Sequence, residues 1–520
     1  MKTAALTGDD PIGLPVTMGA LHAACEEMGA LLIRAAHSPN IKERHDASSA
    51  LFNARGEMIM QAEHIPVHLG AMPAALATVL EHDQPPGRSW ILNDPFAGGT
   101  HLPDITVISA AHLDGRLIGF AATRAHHADV GGSTAGSMPA DSRTLAEEGV
   151  LIPPQPFAQA QIEGLVAPMR QPAERAADLR AQLAANVIGA RRLEELARRL
   201  GPRNLERTLA SVLDYGERRA GAAIAALGDG VREARDVIEA PGGDLELRLR
   251  ATVCGARIVL DFAQSAGQHP GNLNAPLAVT RSACYFAIRV LTDPETPPNA
   301  GAYRPIEIQA PAGSLLNARR PAAVAAGNVE TSSRVADLVL GAFGRALGQG
   351  TMNNLTLGNA GFSYYETIGG GQGACPDADG PSCVHVAMSN TLNTPVEALE
   401  RAFPLRVLRS ERRRGSGGAG RFRGGDGIVR ELEALEPMQF SLIAERRRHG
   451  PRGAEGGEDG ALGRDTLDGE PLGAKSTGTM AAGSRLLIET PGGGGCGRDG
   501  QHRATPRPEG ATDAAERGDR

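Results

Sequence analysis

The sequence predicts a mixed α/β (α+β) fold built as several lobes, and three observations predict it. Apolar residues recur at spacings of three and four over residues 14–37 and again over 172–228, the period of helices with one buried face. Between about 235 and 325 runs of strand length take over, and beyond 350 the chain becomes glycine-rich and strand-like. The length, 520 residues, exceeds what one core usually fills and corresponds to roughly three or four domain-sized units. The expected division is 1–230, an α/β region with a helical segment, then 231–350, strand-rich α/β, then 351–497, glycine-rich β. Residues 498–520 are charged and polar with almost no large apolar side chains, and are expected to be disordered.

Within the first region, residues 14–37 form a helix that buries Leu21, Ala24, Met28 and Leu31/Leu32. Ser48–Phe52 and Met58–Gln61 read as short strands around the turn Asn53-Ala54-Arg55-Gly56. A helix from Met72 to Glu81 and a strand from Trp90 to Asn93 lead into the loop Asp94–Gly99. Ile105–His112 and Arg116–Ala125 are apolar runs separated around Asp114-Gly115, a strong hairpin signal. From Pro172 to about Gly228 the chain is helical, interrupted at Gly201-Pro202. Leu179, Leu183, Val187, Ala190, Leu193, Leu196 and Leu200 are its expected buried stripe. Strands follow at Leu245–Cys254, Arg257–Phe262 and Ile306–Ile308, with helices at about Leu277–Leu291 and 329–348.

Composition narrows the function classes. A formal charge of -7 leaves no basic footprint for nucleic acid, and the runs Arg412–Arg414 and Arg446–Arg448 follow Glu411 and Glu445, as on a solvated or subunit-facing surface. The six cysteines include no C-x-x-C pair, which suits reduced thiols in a cytoplasmic protein. Met1–Pro11 lacks the apolar core of a leader, and no run of about 18 apolar residues suggests a membrane span. Glycine is abundant, 66 residues, and clustered. Gly369–Gly373 and Gly492–Gly495 read as sharp turns rather than phosphate cradles, because G-x-x-x-x-G-K-[ST] does not occur and no G-x-G-x-x-G links a strand to a helix. The nucleophile elbow G-x-S-x-G is missing too, which argues against a serine hydrolase.

The hairpin carries the chemistry. With Asp114-Gly115 as a two-residue turn, paired residue numbers sum to 229, so Asp104 faces Ala125 and Pro103 faces His126. His101, Asp104, His126, His127 and Asp129 then gather at the open end of the hairpin. His101, Asp104 and His126 form a two-histidine, one-carboxylate set suited to a divalent metal such as Zn, Fe, Mn or Co, with positions left open for water or substrate. Strand alternation turns His127 to the other face, and Asp129 is placed to orient a ligand histidine. No catalytic residue beyond these is assigned. His64 and His68 flank Pro66 and are expected to be structural, and Glu43-Arg44-His45-Asp46 reads equally as acid/base groups or as a surface salt-bridge cluster.

Several blocks resemble the hydantoinase B/oxoprolinase family. They are Asn93-Asp94-Pro95-Phe96, Gly98-Gly99-Thr100-His101-Leu102-Pro103-Asp104, and Arg124-Ala125-His126-His127-Ala128-Asp129-Val130-Gly131-Gly132 with Gly136-Ser137-Met138-Pro139. Further on come Gly327–Thr331, Tyr364–Gly371, Asn393–Glu397, Gly415–Gly420, Arg423–Gly427 and Thr490–Gly495. Val384–Asn390 and Asp261–Ser265 depart from the family's usual versions. The resemblance implies a large multi-lobed hydantoinase B-like fold. It implies a B-type chain that works with a separate ATP-binding partner of the hydantoinase A/oxoprolinase A type, together opening a cyclic amide such as a hydantoin or 5-oxoproline. Related ketone carboxylases use a similar chain with a metal on histidines and an aspartate, at a spacing like that of His101, Asp104 and His126. The alternatives are therefore such a carboxylase, or a scaffold for the ATPase partner.

Overall fold

The computed structural model of the chain describes residues 13–63 and 65–498. The expected tail lies outside them from residue 499 on, and so does His64. Helix α1 (Gly13–Ala35) leads into a six-stranded sheet of β1 (Ala47–Asn53), β2 (Met58–Glu63), β3 (Ser89–Leu92), β4 (Asp104–Leu113), β5 (Arg116–His126) and β6 (Gln155–Phe157). Their order is β2-β1-β5-β4-β3-β6, so the first strand and the hairpin β4–β5 are the sheet's centre. Helix α2 (Ala71–Val79) covers one face, where Met72, Ala75 and Leu76 meet Phe52, Ile108 and Phe120. The other face is covered by α1 together with α3 (Pro172–Leu200) and α4 (Pro202–Ala225), with Gly201 between them at φ 80°, a conformation glycine adopts without strain. By length and composition α1 could cross a membrane, but Leu21, Ala24, Cys25, Met28 and Leu32 are spent on this core.

Two expectations about these elements are corrected. Val187 is 55% exposed, not part of the buried stripe. Leu179, Leu193 and Leu196 of that stripe are buried as expected, but the residues packed between them are small or polar. Gly189 lies so close to Met28 and Ala121 that a Cβ there would meet them at 2.4 and 2.8 Å. Gln182 donates to the Ile105 carbonyl (3.0 Å) and Asn186 to that of Val107 (2.9 Å). Apolar periodicity cannot register a face built this way. The hairpin register also shifts. Leu113 pairs Arg116 and His112 pairs Leu117, but a bulge at Ile118 moves the remainder by one, so that Asp104 faces His126 directly.

A second sheet runs β10-β9-β8-β7, from β7 (Gly230–Ala240), β8 (Gly243–Cys254), β9 (Arg257–Asp261) and β10 (Ile306–Gln309). Strand β7 is not individually legible in the sequence, because an edge strand with Arg232, Glu233, Arg235 and Asp236 shows little apolar alternation. Helices α5 (Leu277–Leu291) and α6 (Ser332–Ala342) pack within the same core, and a π-helical turn Gly327–Thr331 precedes α6. The later chain forms β11 (Asn354–Gly358), β12 (Ser363–Glu366), β13 (Leu405–Arg413), β14 (Gly427–Ala434), β15 (Met438–Ile443), β16 (Arg464–Leu467), β17 (Glu470–Pro471), β18 (Lys475–Met480) and β19 (Arg485–Glu489). They make sheets β12-β11-β15-β18 and β13-β14-β19-β16-β17, which share one core through Leu355, Phe440, Leu432 and Leu486.

The glycine clusters stack backbone on backbone. A Cβ on Gly371 would lie 2.0 Å from the Gly425 carbonyl oxygen, and one on Gly424 1.9 Å from that of Gly493. In the run Arg446–Arg448 only Arg448 is solvated as expected. Arg446 is fully buried, with Asp337 at 2.6 Å and Asp236 at 3.2 Å, and Arg447 pairs with Asp465 at 2.8 Å. Together with Arg334–Glu445 (3.2 Å), these pairs join the second sheet to α6 and to the segment after β15.

Candidate metal centre

The site lies on one face of the first sheet, at one end of its central strands. Strand alternation puts Ser48 of β1, Arg124 and His126 of β5, and Asp104 and Thr106 of β4 on that face, with Asp46 just before β1. The Asp46 carbonyl accepts from the His126 backbone N–H at 3.0 Å, which continues the ladder to the site. His101 arrives from the loop before β4, and Thr100 donates its hydroxyl to Asp104. One donor atom each from His101, Asp104 and His126 lies within 4.8 Å of the others. His101 Nε2 is 3.2 Å from Asp104 Oδ2, and the rings of His101 and His126 are 4.9 Å apart.

All three side chains are buried, and several of their polar atoms make no well-aligned hydrogen bond within the protein. These are both ring nitrogens of His101, Nε2 of His126 and Oδ1 of Asp104. Orphaned buried atoms of this kind are costly unless something outside the chain satisfies them. Here the orphans are nitrogen and carboxylate donors, which is the donor set of a borderline divalent cation. Electrostatics favours the same occupant. Burial holds His126 well below the ordinary histidine range, with His101 adding to the effect, so its ring is neutral and has a free lone pair. Burial opposes the charge on Asp104, but His101 and His68 outweigh it and hold the carboxyl well below its usual range. His126 Nδ1 lies 3.0 Å from the Asn40 amide in the short helix Pro39–Lys42. A cation on Nε2 leaves Nδ1 protonated, and the Asn40 oxygen can accept that proton once the amide is turned over.

His127 faces away, its Nε2 3.0 Å from Gln182 on α3. Asp129 does not orient a histidine. It accepts from the backbone N–H groups of Gly131 (2.6 Å) and Gly136 (2.7 Å) and pairs with Arg170 (3.1 Å), so it shapes the loop after the hairpin. His68, expected to be structural only, is fully buried with Nε2 3.5 Å from Asp104 Oδ2 and Nδ1 2.9 Å from Ser48 Oγ. Within the Glu43–Asp46 segment, Arg44 and Asp46 are not on the surface either. Both are buried at the site, and burial raises the Asp46 carboxyl to about 7 despite Arg44. The two-residue spacing of Asp46 and Ser48 before an apolar strand was the available signal, but only the pairing of β1 with β5 gives it meaning. Tyr365 of β12 lies in the block Tyr364–Gly371 noted in the sequence, but nothing there places it beside the hairpin. Its ring stacks on His126 at 4.3 Å, and the Arg44 guanidinium lies 4.7 Å over it.

Comparison with known proteins agrees with this architecture. The 5-oxoprolinase 1 of Arabidopsis thaliana is 39% identical over 512 residues, covering 91% of this chain. The chain spans only 40% of that relative's length. A putative D-/L-hydantoinase component, of the B type, from Pseudomonas sp. (strain NS671) is 29% identical, and 94% of this chain aligns with 90% of it. The crystal structure of an ATP-dependent caprolactamase from Pseudomonas jessenii superimposes with a TM-score of 0.88 at 27% identity, covering 94% of this chain and 91% of that one. The pattern of one family, hydantoinase B/oxoprolinase, matches residues 10–499, from the helix before the sheet to the last glycine cluster, and the chain belongs to that family.

Proposed function

We propose that this chain is the B-type component of an ATP-dependent hydrolase of cyclic amides of the hydantoin or 5-oxoproline type. In this reading His101, Asp104 and His126 hold a divalent cation, Zn, Mn or Fe, and an A-type partner holds the ATP, in the cytoplasm. The observation that carries the reading is the buried donor set with unsatisfied ring nitrogens and a free carboxylate oxygen, in a chain that superimposes on an ATP-dependent caprolactamase over nearly its whole length. A bound divalent cation supplies Lewis acidity, lowering the pKa of water or polarising a carbonyl.

The chain's own residues prepare the place for that chemistry. Burial keeps His126 and His68 neutral, and so available as a ligand and as a hydrogen-bond donor respectively. Thr100 and His68 both approach Oδ2 of Asp104 and leave Oδ1 free, and Asn40 fixes the His126 ring. Asp46, raised to about 7 and with Oδ1 free of protein partners, can hold or release a proton at neutral pH. Tyr365 walls the site with an apolar ring.

The test is metal analysis of the purified chain, wild type beside Asp104→Ala, followed by assays of 5-oxoproline, a hydantoin and caprolactam with ATP and a candidate A-type partner. Near-stoichiometric metal lost in the variant, with ATP-dependent ring opening only when both proteins are present, is the expected result. Bicarbonate-dependent carboxylation of a ketone would replace hydrolysis by the carboxylase reading. A folded wild type without metal, unaffected in any assay by Asp104→Ala, would leave only a scaffold.

A further inference from the structure

The largest fully buried side chains include Arg44, Arg124, Arg175, Arg334 and Arg446. Three of them lie against carboxylates: Arg175 against Glu174, Arg334 against Glu445, and Arg446 against Asp337. Among the described residues, Arg44 and Arg124 have no ion pair, and both belong to the metal centre. Arg124 shares its strand face with His126. Its Nε donates to Thr106 Oγ1 (2.7 Å) and its Nη2 to the Gly98 carbonyl (2.8 Å), while Nη1 is buried with no partner. Arg44 donates to the carbonyls of Leu392 (3.3 Å) and Tyr365 (3.1 Å) and to the hydroxyls of Thr367 (2.7 Å) and Thr391 (3.2 Å). Every acceptor around these two cations is neutral.

A buried guanidinium surrounded by neutral acceptors keeps its field, and keeping it there is costly unless an anion arrives. The charges at the centre say which kind. The carboxylates that face Arg44 and Arg124 are those of Asp46 and Asp104, so a divalent cation leaves the site at +2 or more. Glu148, the next acid, is already held by Ser142 and by the backbone N–H groups of Val324 and Ala325. A carboxylate would leave at least one positive charge over, whereas a phosphoryl dianion balances two. The two N–H bonds of Nη1 also suit phosphoryl oxygens.

We propose that Arg124, through Nη1, binds a phosphoryl oxyanion beside His101, Asp104 and His126, with Arg44 on Tyr365 as the second positive charge. The charge count rests on the metal reading above; the free Nη1 does not. The anion is either inorganic phosphate or the phosphate of an activated substrate.

The experiment is equilibrium dialysis of radiolabelled orthophosphate against the full chain, metal-loaded and chelator-treated, with metal content measured in each sample. Wild type should bind phosphate, and Arg124→Met should weaken binding about tenfold or more at unchanged metal content. Arg124→Lys, which keeps the charge but loses the fork, should fall between them and covers the case in which the apolar variant misfolds. Stronger competition by a small phosphate monoester than by orthophosphate assigns the subsite to an activated substrate, and the reverse assigns it to released phosphate. If the wild type proves metal-free yet binds phosphate through Arg124, the arginine subsite stands and the metal reading alone falls. Folded wild type that binds no phosphate, or folded Arg124 variants that bind it as tightly as wild type, would overturn the proposal.

Discussion

Replacing Asp104 by asparagine tests the metal centre most directly, because the shape is kept and only the charge is lost. In the wild type the carboxylate lies 3.2 Å from His101 and 3.5 Å from His68, and it accepts the Thr100 hydroxyl. An amide can still accept those contacts through its oxygen, so the metal-free fold should survive. The loss falls on the proposed cation, which would exchange an anionic ligand for a neutral one. Loss of even an outer hydrogen-bond partner weakens metal binding by about 10–100-fold, so loss of the only carboxylate in the set should cost at least about 100-fold. By linkage, a metal present at 100 times its dissociation constant stabilises the fold by about 2.7 kcal/mol. The same concentration acting on a 100-fold weaker site gives only about 0.4 kcal/mol. The assay is chemical unfolding with and without chelator, with metal content measured in parallel. Asp104→Asn that retains stoichiometric metal and the full chelator-sensitive stabilisation would refute the assignment.

Other expectations follow from the same geometry. His68→Ala removes a group that steadies Asp104 without itself belonging to the donor set, and should weaken metal binding about 10–100-fold while leaving a measurable site, as metal titration would show. Asp46 has its carboxyl raised to about 7 in the fold, so folding takes up a proton between the unfolded value and 7. Its contribution to the stability of the metal-free chain therefore declines as pH rises through that window, and Asp46→Asn should flatten the decline in a pH series of unfolding curves. Arg446→Ala removes the nearest cation from Asp337 and Asp236, leaving Arg334 at 3.4 and 3.6 Å as the longer partner, and should destabilise the fold by about 3 kcal/mol, read from denaturant midpoints. Gly493→Ala would bring a Cβ to 2.0 Å from the Gln372 carbonyl oxygen, and should cost about 1–3 kcal/mol or abolish soluble expression.

Much of this protein was legible in its residues because local rules governed it. The helix Leu277–Leu291 and the break between α3 and α4 at Gly201-Pro202 follow from spacing, glycine and proline. The hairpin follows from Asp114-Gly115 between two apolar runs, and three donors at its open end followed from that alone. Legibility failed where partners distant in sequence decide the outcome. On the buried side of α3, Leu179, Leu193 and Leu196 follow from spacing, but Gly189, Gln182 and Asn186 beside them are buried favourably only against the Met28 side chain and the strand carbonyls opposite them. The bulge at Ile118 moves His126 opposite Asp104, and a turn type cannot reveal a bulge several residues away. The remainder of the site is tertiary in the strict sense. His68 reaches Asp104 from a turn before α2, Asp46 and Arg44 arrive because β1 pairs with β5, and Tyr365 comes from another sheet. By itself the sequence determined the hairpin and the gathering of His101, Asp104 and His126 at its open end, because hydrogen-bonding periodicity and turn chemistry act over a few residues. Only the tertiary structure decided what surrounds them, because burial, and with it the charge state and the orphaned donors, is set by segments that meet across hundreds of residues.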